Sequence, residues 1–376
     1  MKVLCPNKEV CGSCGWSHIP YQDQLAQKLS DINGSLKLKE LDHVCEQIVP
    51  AVVTEHYRNR MDFVIDFEGR MGLRQKGKWW KVIDDHPCFI SDKRIESLFS
   101  VVRTWTKSAD LTFYDRKSHA GLLRYAVIRT ALSGQALVII VTSAPESAEE
   151  EEKARQALGE LAGLLDSTSL VWSINHTITD ISIGDELRTI SEPGYLEEQV
   201  GGLVYRVSPH AFFQTNSQTA GVLLETVTEF AGDLDGKVLL DLYCGTGFFA
   251  TALAARAKRT VGVEISSEAV ADAKINAERN HLEIEYHDEK AEQFDWQAVG
   301  ADVVILDPPR SGMHDTTLKS ILDIKPPRIV YVSCNYKHFA RELVELQAIY
   351  NVAAIRAIDM FPHTPHVELV ALLERR

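Results

Sequence analysis

Apolar runs and polar breaks change rhythm along this chain. In its last part, short apolar runs alternate with helical stretches. Val238 to Tyr243, Thr260 to Ile265, Ala301 to Leu306 and Ile329 to Val332 read as buried strands, and Phe248 to Ala257 as a helix. Ile355 to Pro362 and Val367 to Leu373 read as a terminal pair of strands. The pattern predicts an open α/β sheet of the Rossmann-like kind. Upstream the pattern is mixed. Tyr21 to Leu29 is a short amphipathic helix, and Met61 to Phe67 alternates loosely like a strand, with Gly69 and Gly77 at turns. Ala136 to Val141 and Leu170 to Ile174 are apolar strands, with a helix near Glu150 to Leu164 between them. Gly201-Gly202 closes this α+β part. The expected domains are therefore 1–202 and 203–376, with the helix near 18–45 free to pack on the second.

Length agrees, since 376 residues exceed one ordinary core. Apolar residues at 45% and charged residues at 25% describe a globular protein, and no apolar run reaches membrane-spanning length. The first residues lack the apolar core of a signal peptide, so a cytoplasmic protein without a membrane partner is expected. The formal net charge of −13 argues against a polyanionic partner for the chain as a whole. Local patches change that picture. Residues 57–81 carry Arg58, Arg60, Arg70, Arg74, Lys76, Lys78 and Lys81 against Asp62, Asp66 and Glu68, interleaved with Tyr57, Phe63, Phe67, Trp79 and Trp80. Cations and stacking rings on strands suit single-stranded or looped RNA, and equally suit a hairpin with a salted outer face. A second basic cluster follows at Arg116, Lys117, His119, Arg124 and Arg129. The acidic run Glu149 to Glu152 reads as a solvated first helical turn.

Seven cysteines in a chain without a secretory signal point to metal or catalysis rather than disulfides. Cys5, Cys11 and Cys14, with Cys88 much later, could complete a tetrahedral zinc site or hold an iron–sulfur cluster. His18, His43, His86 and Cys45 are further zinc candidates. Cys334 is different, because it ends the strand Ile329 to Val332, where open sheets bind ligands. Near Asp241 to Gly247 a Gly-x-Gly loop opens a helix, without the third glycine of a dinucleotide site or the lysine of a phosphate loop. Glu264, at the end of the next strand, is placed to accept ribose hydroxyls, although capping the following helix is its bland alternative. S-adenosylmethionine, a nucleoside without phosphates, fits this pair. Asp307-Pro308-Pro309-Arg310 ends another strand at the rim, and Glu368 interrupts an apolar strand. A thiol, a carboxylate and a methyl donor together suit methylation of a poor nucleophile such as carbon 5 of uracil.

These residues resemble the RNA (uracil-5-)-methyltransferase family from Cys5 to the C-terminus. The motifs are Cys-Pro-x4-Cys-Gly-x-Cys, Tyr57-Arg58-Asn59-Arg60, Phe212-Phe213-Gln214-Thr215-Asn216, Asp-x-Tyr-Cys-Gly-x-Gly, Asp-Pro-Pro-Arg, Ser-Cys-Asn and His-Thr-x-His-Val-Glu. The resemblance implies a class I S-adenosylmethionine-dependent methyltransferase domain and an N-terminal α+β RNA-binding lobe with a 4Fe–4S cluster on Cys5, Cys11, Cys14 and Cys88. It implies Cys334 as nucleophile, Glu368 as general base, and Gln214, Tyr243, Gly245, Glu264 and Asp307 as cofactor contacts. Phe212, Arg58 and Arg60 would meet the RNA. With the first cluster cysteine at position 5, no small RNA-binding β-barrel is expected before it. The cysteines and short length resemble the 23S ribosomal RNA enzymes, expected to act as monomers. Methylation of the T-loop uridine of transfer RNA is the alternative, and a non-catalytic iron–sulfur RNA-binding protein is the rival from another class.

Overall fold

The structure, a computed structural model, describes residue 5, residues 7–84 and residues 88–376. The zinc-ligand candidate His86 lies outside them. The chain divides into two compact units. One comprises the described residues up to His18, Thr54–Glu198 and Ser208–His210; the other comprises Ile19–Val53, Gln199–Val207 and Ala211–Arg376.

The first elements in the chain, α1 (Tyr21–Leu38) and β1 (Ile48–Val49), belong to the second unit. Helix α1 runs well past the predicted Leu29, because Leu25, Lys28, Ile32 and Leu36 keep one buried stripe at helical spacing. The buried face also includes Gln24 and contains a lysine, which hides it in the sequence.

The first unit holds β2 (Arg60–Ile65), β3 (Met71–Gln75), β4 (Lys78–Asp84), α2 (Lys93–Ser108), β5 (Leu123–Thr130), β6 (Ala136–Ser143), α3 (Ala148–Leu164), β7 (Ser169–Asn175) and β8 (Glu186–Ser191). Among the described residues the strands form one seven-stranded sheet in the order β4-β3-β2-β5-β6-β7-β8. Every residue of β5 and β7 is buried, whereas the first four residues of β4, an edge strand, are exposed. The parallel step from β6 to β7 is made through α3. The Ser147 side chain accepts from the Glu150 amide at its start, with Glu149, Glu150 and Glu151 in the first turn as the sequence predicts.

After β9 (Leu196–Val200) and β10 (Leu203–Val207), the second unit continues with α4 (Ser217–Ala231), β11 (Val238–Leu242), α5 (Phe248–Leu253), β12 (Arg259–Glu264), α6 (Ser267–Arg279), β13 (Glu285–Asp288), α7 (Trp296–Val299), β14 (Val303–Leu306), α8 (Asp315–Ile324), β15 (Arg328–Ser333), α9 (Tyr336–Leu346), β16 (Tyr350–Ile358) and β17 (Glu368–Arg375). Among the described residues β9 and β10 pair as a separate two-stranded sheet, and the remaining strands of this unit form one eight-stranded sheet, β1-β16-β17-β15-β14-β11-β12-β13. Strands β11 to β15 pair in parallel, and β17 runs antiparallel between β15 and β16. From β11 the chain steps outward through β12 and β13, then returns to β14 on the other side. The strand order therefore reverses at β11, and the crevice at that switch point is where such sheets bind ligands. The core beneath it contains Leu240, Leu242, Val261, Leu306, Ile329 and Leu369, with Ile32 and Leu36 of α1.

Candidate active site

Cys334 follows directly on β15, and its neighbour Asn335 caps α9 by accepting from the Lys337 amide. The β15–β17 register pairs Ser333 with Leu369. One step further out sets Cys334 opposite Glu368, the first residue of β17. An antiparallel strand starts where its parallel neighbours end, so this carboxylate joins the carboxyl-end rim. Glu368 is only 6% exposed. Burial, and then the Asp307 carboxylate, push its carboxyl well above the ordinary range. Asp307 directly follows β14 and is pushed up to about 7 by burial. The Cys334 thiol is pushed up to about 11, by burial first and then by Glu368 and Asp307, while Arg310 pulls it the other way. The sequence-predicted Cys334, Glu368 and Asp307 thus share one locality. The turn after Asp307 is fixed by the Gly312 amide on the Pro309 carbonyl (2.8 Å) and by Asn335 Nδ2 on the Arg310 carbonyl (3.1 Å). The Arg310 guanidinium lies 3.1 Å from His366 Nδ1.

The glycine loop leaves β11 on the same rim. Gly247 starts α5 at φ +80, and a β-carbon there would lie 2.4 Å from Tyr286 Oη. Gly245, at φ +53, has nothing within 4 Å of such a carbon, so that side of its backbone is open for a ligand. Its amide donates to Glu264 Oε2 (3.1 Å), and Glu264 Oε1 accepts from the Ser266 amide (2.9 Å). The helix cap itself is Ser266, which accepts from the Ala269 amide, so capping does not account for Glu264. Tyr243, at φ +63, donates to Thr317 Oγ1 (3.2 Å).

Asp241, inside the apolar strand β11, opens the loop motif in the sequence but was given no role there. It is fully buried; Oδ2 accepts from the Ala250 amide (2.9 Å), while Oδ1 has no partner among the described residues. Its carboxyl is pushed up by burial, with Asp307 and Glu264 adding to that. A charged residue breaking the run Val238 to Leu242 was the available signal. Three carboxylates around an open glycine loop favour a cationic ligand, and the residues fit a sulfonium-bearing nucleoside.

Phe212 and Gln214 precede α4. Phe212 is 66% exposed, while Phe213 packs on Tyr205 and Phe248 and Gln214 is buried. Asn216 caps α4 and donates to the Met360 carbonyl (3.0 Å), tying this segment to the end of β16. The loop from there to Glu368 is gripped by α1. Lys28 Nζ meets Asp359 Oδ1 at 2.6 Å and the Phe361 carbonyl at 3.1 Å, and Gln24 binds the amide and ring of His363. Lys28 and Asp359 side chains are fully buried. Nothing in the local sequence announces this pair.

In the first unit, Cys5, Cys11, Cys14 and Cys88 are buried free thiols. The Cys14 thiol is pushed up to about 12 by burial and by the nearness of Cys88, Cys5 and Cys11, so the four sulfurs are neighbours. Among the described residues no three His, Cys, Asp or Glu side chains are arranged around a single metal ion. Of the other zinc candidates, Cys45 lies in the apolar core of the second unit and His18 is exposed. Arg58 Nε donates to the Arg60 carbonyl, and Arg60 pairs with Asp62 at 2.9 Å. The predicted second basic cluster is not one surface. Arg124 and Arg129 are buried, bonded to the carbonyls of Thr177 and Thr179 and of Ser208 and Pro209. Sequence spacing could not separate these internal guanidinium groups from solvated ones.

Sheet order, glycine loop and strand-end carboxylate define an α/β methyltransferase domain of the S-adenosylmethionine-dependent kind. The family model for tRNA (Uracil-5-)-methyltransferase matches residues 20–295 and 285–376. The chain is 36% identical to an uncharacterized RNA methyltransferase of Caldanaerobacter subterraneus over 99% of its own length and 84% of that protein's. It is 34% identical to the tRNA (uracil(54)-C(5))-methyltransferase of Pyrococcus horikoshii, covering 96% and 83% of the two chains. The crystal structure of the Pyrococcus abyssi tRNA (uracil-54, C5)-methyltransferase with S-adenosyl-L-homocysteine superposes at a TM-score of 0.80, with 31% identity over 96% and 86% of the two chains. The chain belongs to the tRNA (uracil-5-)-methyltransferase family and is an S-adenosylmethionine-dependent RNA (uracil-5-)-methyltransferase.

Proposed function

We propose that the enzyme methylates carbon 5 of a uridine in transfer RNA, with Cys334 as nucleophile and Glu368 as general base. The observation that carries this is the register of β15 and β17, which, continued by one residue, faces a thiol with a buried carboxylate on the rim that bears the glycine loop. The Cys334 thiolate adds to carbon 6, and the π electrons of the 5,6 double bond move toward the carbon 4 oxygen. The cofactor supplies an electrophilic methyl group, which carbon 5 takes up. Glu368 then removes the carbon 5 proton, the double bond re-forms, and Cys334 leaves as thiolate. Gln214, Tyr243, Gly245, Glu264 and Asp307 hold the cofactor, with Glu264 on the ribose hydroxyls. The exposed ring of Phe212 stacks on the target base, and Arg58 and Arg60 contact the RNA.

Transfer RNA is preferred over the 23S ribosomal RNA expected from the cysteines, because relatives at 34% identity bear the name tRNA (uracil(54)-C(5))-methyltransferase. Cys5, Cys11, Cys14 and Cys88 hold a 4Fe–4S cluster in this reading. Each cluster thiolate binds a different iron, so the ligand shell of a single ion is not required. The enzyme acts in the cytoplasm.

The test is a covalent complex with RNA carrying 5-fluorouridine, whose carbon 5 fluorine a base cannot remove. Wild type should form it and Cys334→Ala should not; an adduct that persists in Cys334→Ala overturns the nucleophile. Glu368→Gln should accumulate a methylated, trapped complex on ordinary RNA, and rapid release removes Glu368 from the base role. Mass mapping of 5-methyluridine in both RNA classes after incubation decides the substrate, with ribosomal product overturning the transfer-RNA reading. Cys88→Ser should lose bound iron and sulfide together with RNA affinity.

A further inference from the structure

The first unit contains a cleft of about 880 Å³ that the reaction at Cys334 does not use. Met61, Val64, Leu73 and Ile90 contribute apolar lining, and Trp79 and Tyr125 line it as well. Arg58, Arg74 and Lys76 face it against Asp62 and Asp180, a cationic balance in a chain whose formal net charge is −13. The carboxylates are already engaged. Asp180 accepts from Arg74, Arg116 and the Tyr125 hydroxyl, and Asp62 pairs with Arg60. Lys76 makes no ion pair among the described residues and is available to a phosphate.

Trp79 is held ready. The Arg116 guanidinium lies 5.0 Å from its ring centre, and Trp80 meets it edge-on, yet the ring remains 59% exposed. Strand β4 carries both tryptophans on an edge, where its lysines discourage another strand from pairing. A large ring left in water on such a strand, beside cations and in a cleft with apolar lining, matches the way proteins receive unstacked bases. The cysteine loop forms another wall through Gly12 and Ser13. It is fastened to the β3–β4 turn by the Lys76 amide on the Val10 carbonyl (2.7 Å) and by the bridge between Cys11 and Gln75.

We propose that this cleft takes one unstacked nucleotide of the RNA substrate, other than the target uridine, with its base on Trp79 and its phosphate on Lys76 and Arg58. The proposal rests on the RNA methyltransferase reading. Its test is the affinity of full-length enzyme for fluorescent oligouridylate and for a transfer-RNA transcript. Stacking of one base predicts that Trp79→Ala binds both on the order of tenfold to a hundredfold more weakly, with Trp79→Phe recovering most of the loss. Trp80→Ala, an equally exposed neighbour that does not line the cleft, should bind as wild type does. Lys76→Glu should weaken binding and flatten its salt dependence. Turnover by Trp79→Ala at saturating RNA should remain, so that KM moves and kcat does not. Thermal melting confirms that each variant is folded. Unchanged affinity in Trp79→Ala, equal losses in Trp79→Ala and Trp80→Ala, or no binding of either RNA by wild type overturns the cleft. A wild type that binds RNA through Trp79 but forms no 5-methyluridine overturns the catalytic reading instead.

Discussion

The state of the Cys334 thiol can be read directly from its reactivity. Its ordinary value of 9.0 is raised to about 11 by burial, Glu368 and Asp307. At pH 8 the thiolate fraction therefore falls from about one in ten to about one in a thousand, since each unit is tenfold. The thiolate is the species that alkylates, so iodoacetamide should modify Cys334 about a hundredfold more slowly than a free cysteine peptide at that pH. The rate should climb about tenfold per unit through pH 10 without a plateau. The signs of the neighbours follow from their charges. Removing the cation in Arg310→Ala should slow alkylation further, and removing like charge in Asp307→Asn should speed it. Timed alkylation, with mass spectrometry of the peptide containing residue 334, gives each rate separately from the other thiols. A plateau below about pH 9, or a rate indifferent to Arg310→Ala, would refute the electrostatic account of this site.

Four further outcomes are expected. Asp307 at about 7 is roughly half protonated at neutral pH, and Glu368 lies higher than its ordinary range. A cationic cofactor beside them favours the ionised forms, so S-adenosylmethionine binding should release protons at pH 7. Calorimetry in buffers of different ionisation enthalpy measures this, and net proton uptake contradicts it. Gly247→Ala should destabilise the fold by about 1–3 kcal/mol and abolish cofactor binding, because a β-carbon at φ +80 meets Tyr286. Gly245→Ala should instead weaken cofactor binding with a smaller change in melting temperature, because its β-carbon meets nothing in the chain. Lys28→Met leaves Asp359 buried without its cation and should cost about 3–5 kcal/mol in denaturant unfolding. Adding Asp359→Leu should restore much of that stability, and equal instability of the single and double variants would contradict the account.

The candidate site was legible where the proposed chemistry needs a residue type at a strand end. Cys334, Asp307 and Glu264 each close an apolar run, and periodicity with glycine punctuation located those runs to within a few residues. Helix α5 ends earlier than its apolar pattern predicts, at Leu253, because the chain tightens into a 3₁₀ turn at Ala254–Arg256. Glu368 and Cys334 meet through an antiparallel register spanning distant segments, which no local pattern encodes. Asp241 was visible as the first residue of the loop motif, but its role was not, because hydropathy averages a single carboxylate into its strand. Lys28 was hidden because a buried lysine resembles a solvated one until Asp359 comes to face it. The basic residues were the least legible, since charge alone does not tell Lys76 from the internal Arg129.

Helix α1 and strand β1 are synthesised before residues 54–198, the bulk of the first unit, yet they complete the second. Lys28 and Asp359 are 331 positions apart, and β1 closes one edge of the sheet against β16. A gene cut after codon 202 would therefore not yield a working catalytic half. The fragment would keep Asp359 and lose the lysine that neutralises it, and would leave β16 with a bare edge. A viable dissection must instead carry residues 19–53 with the C-terminal portion, by fusion or permutation. On the ribosome, the loop leading to Glu368 finds its support only when nearly the whole polypeptide has emerged.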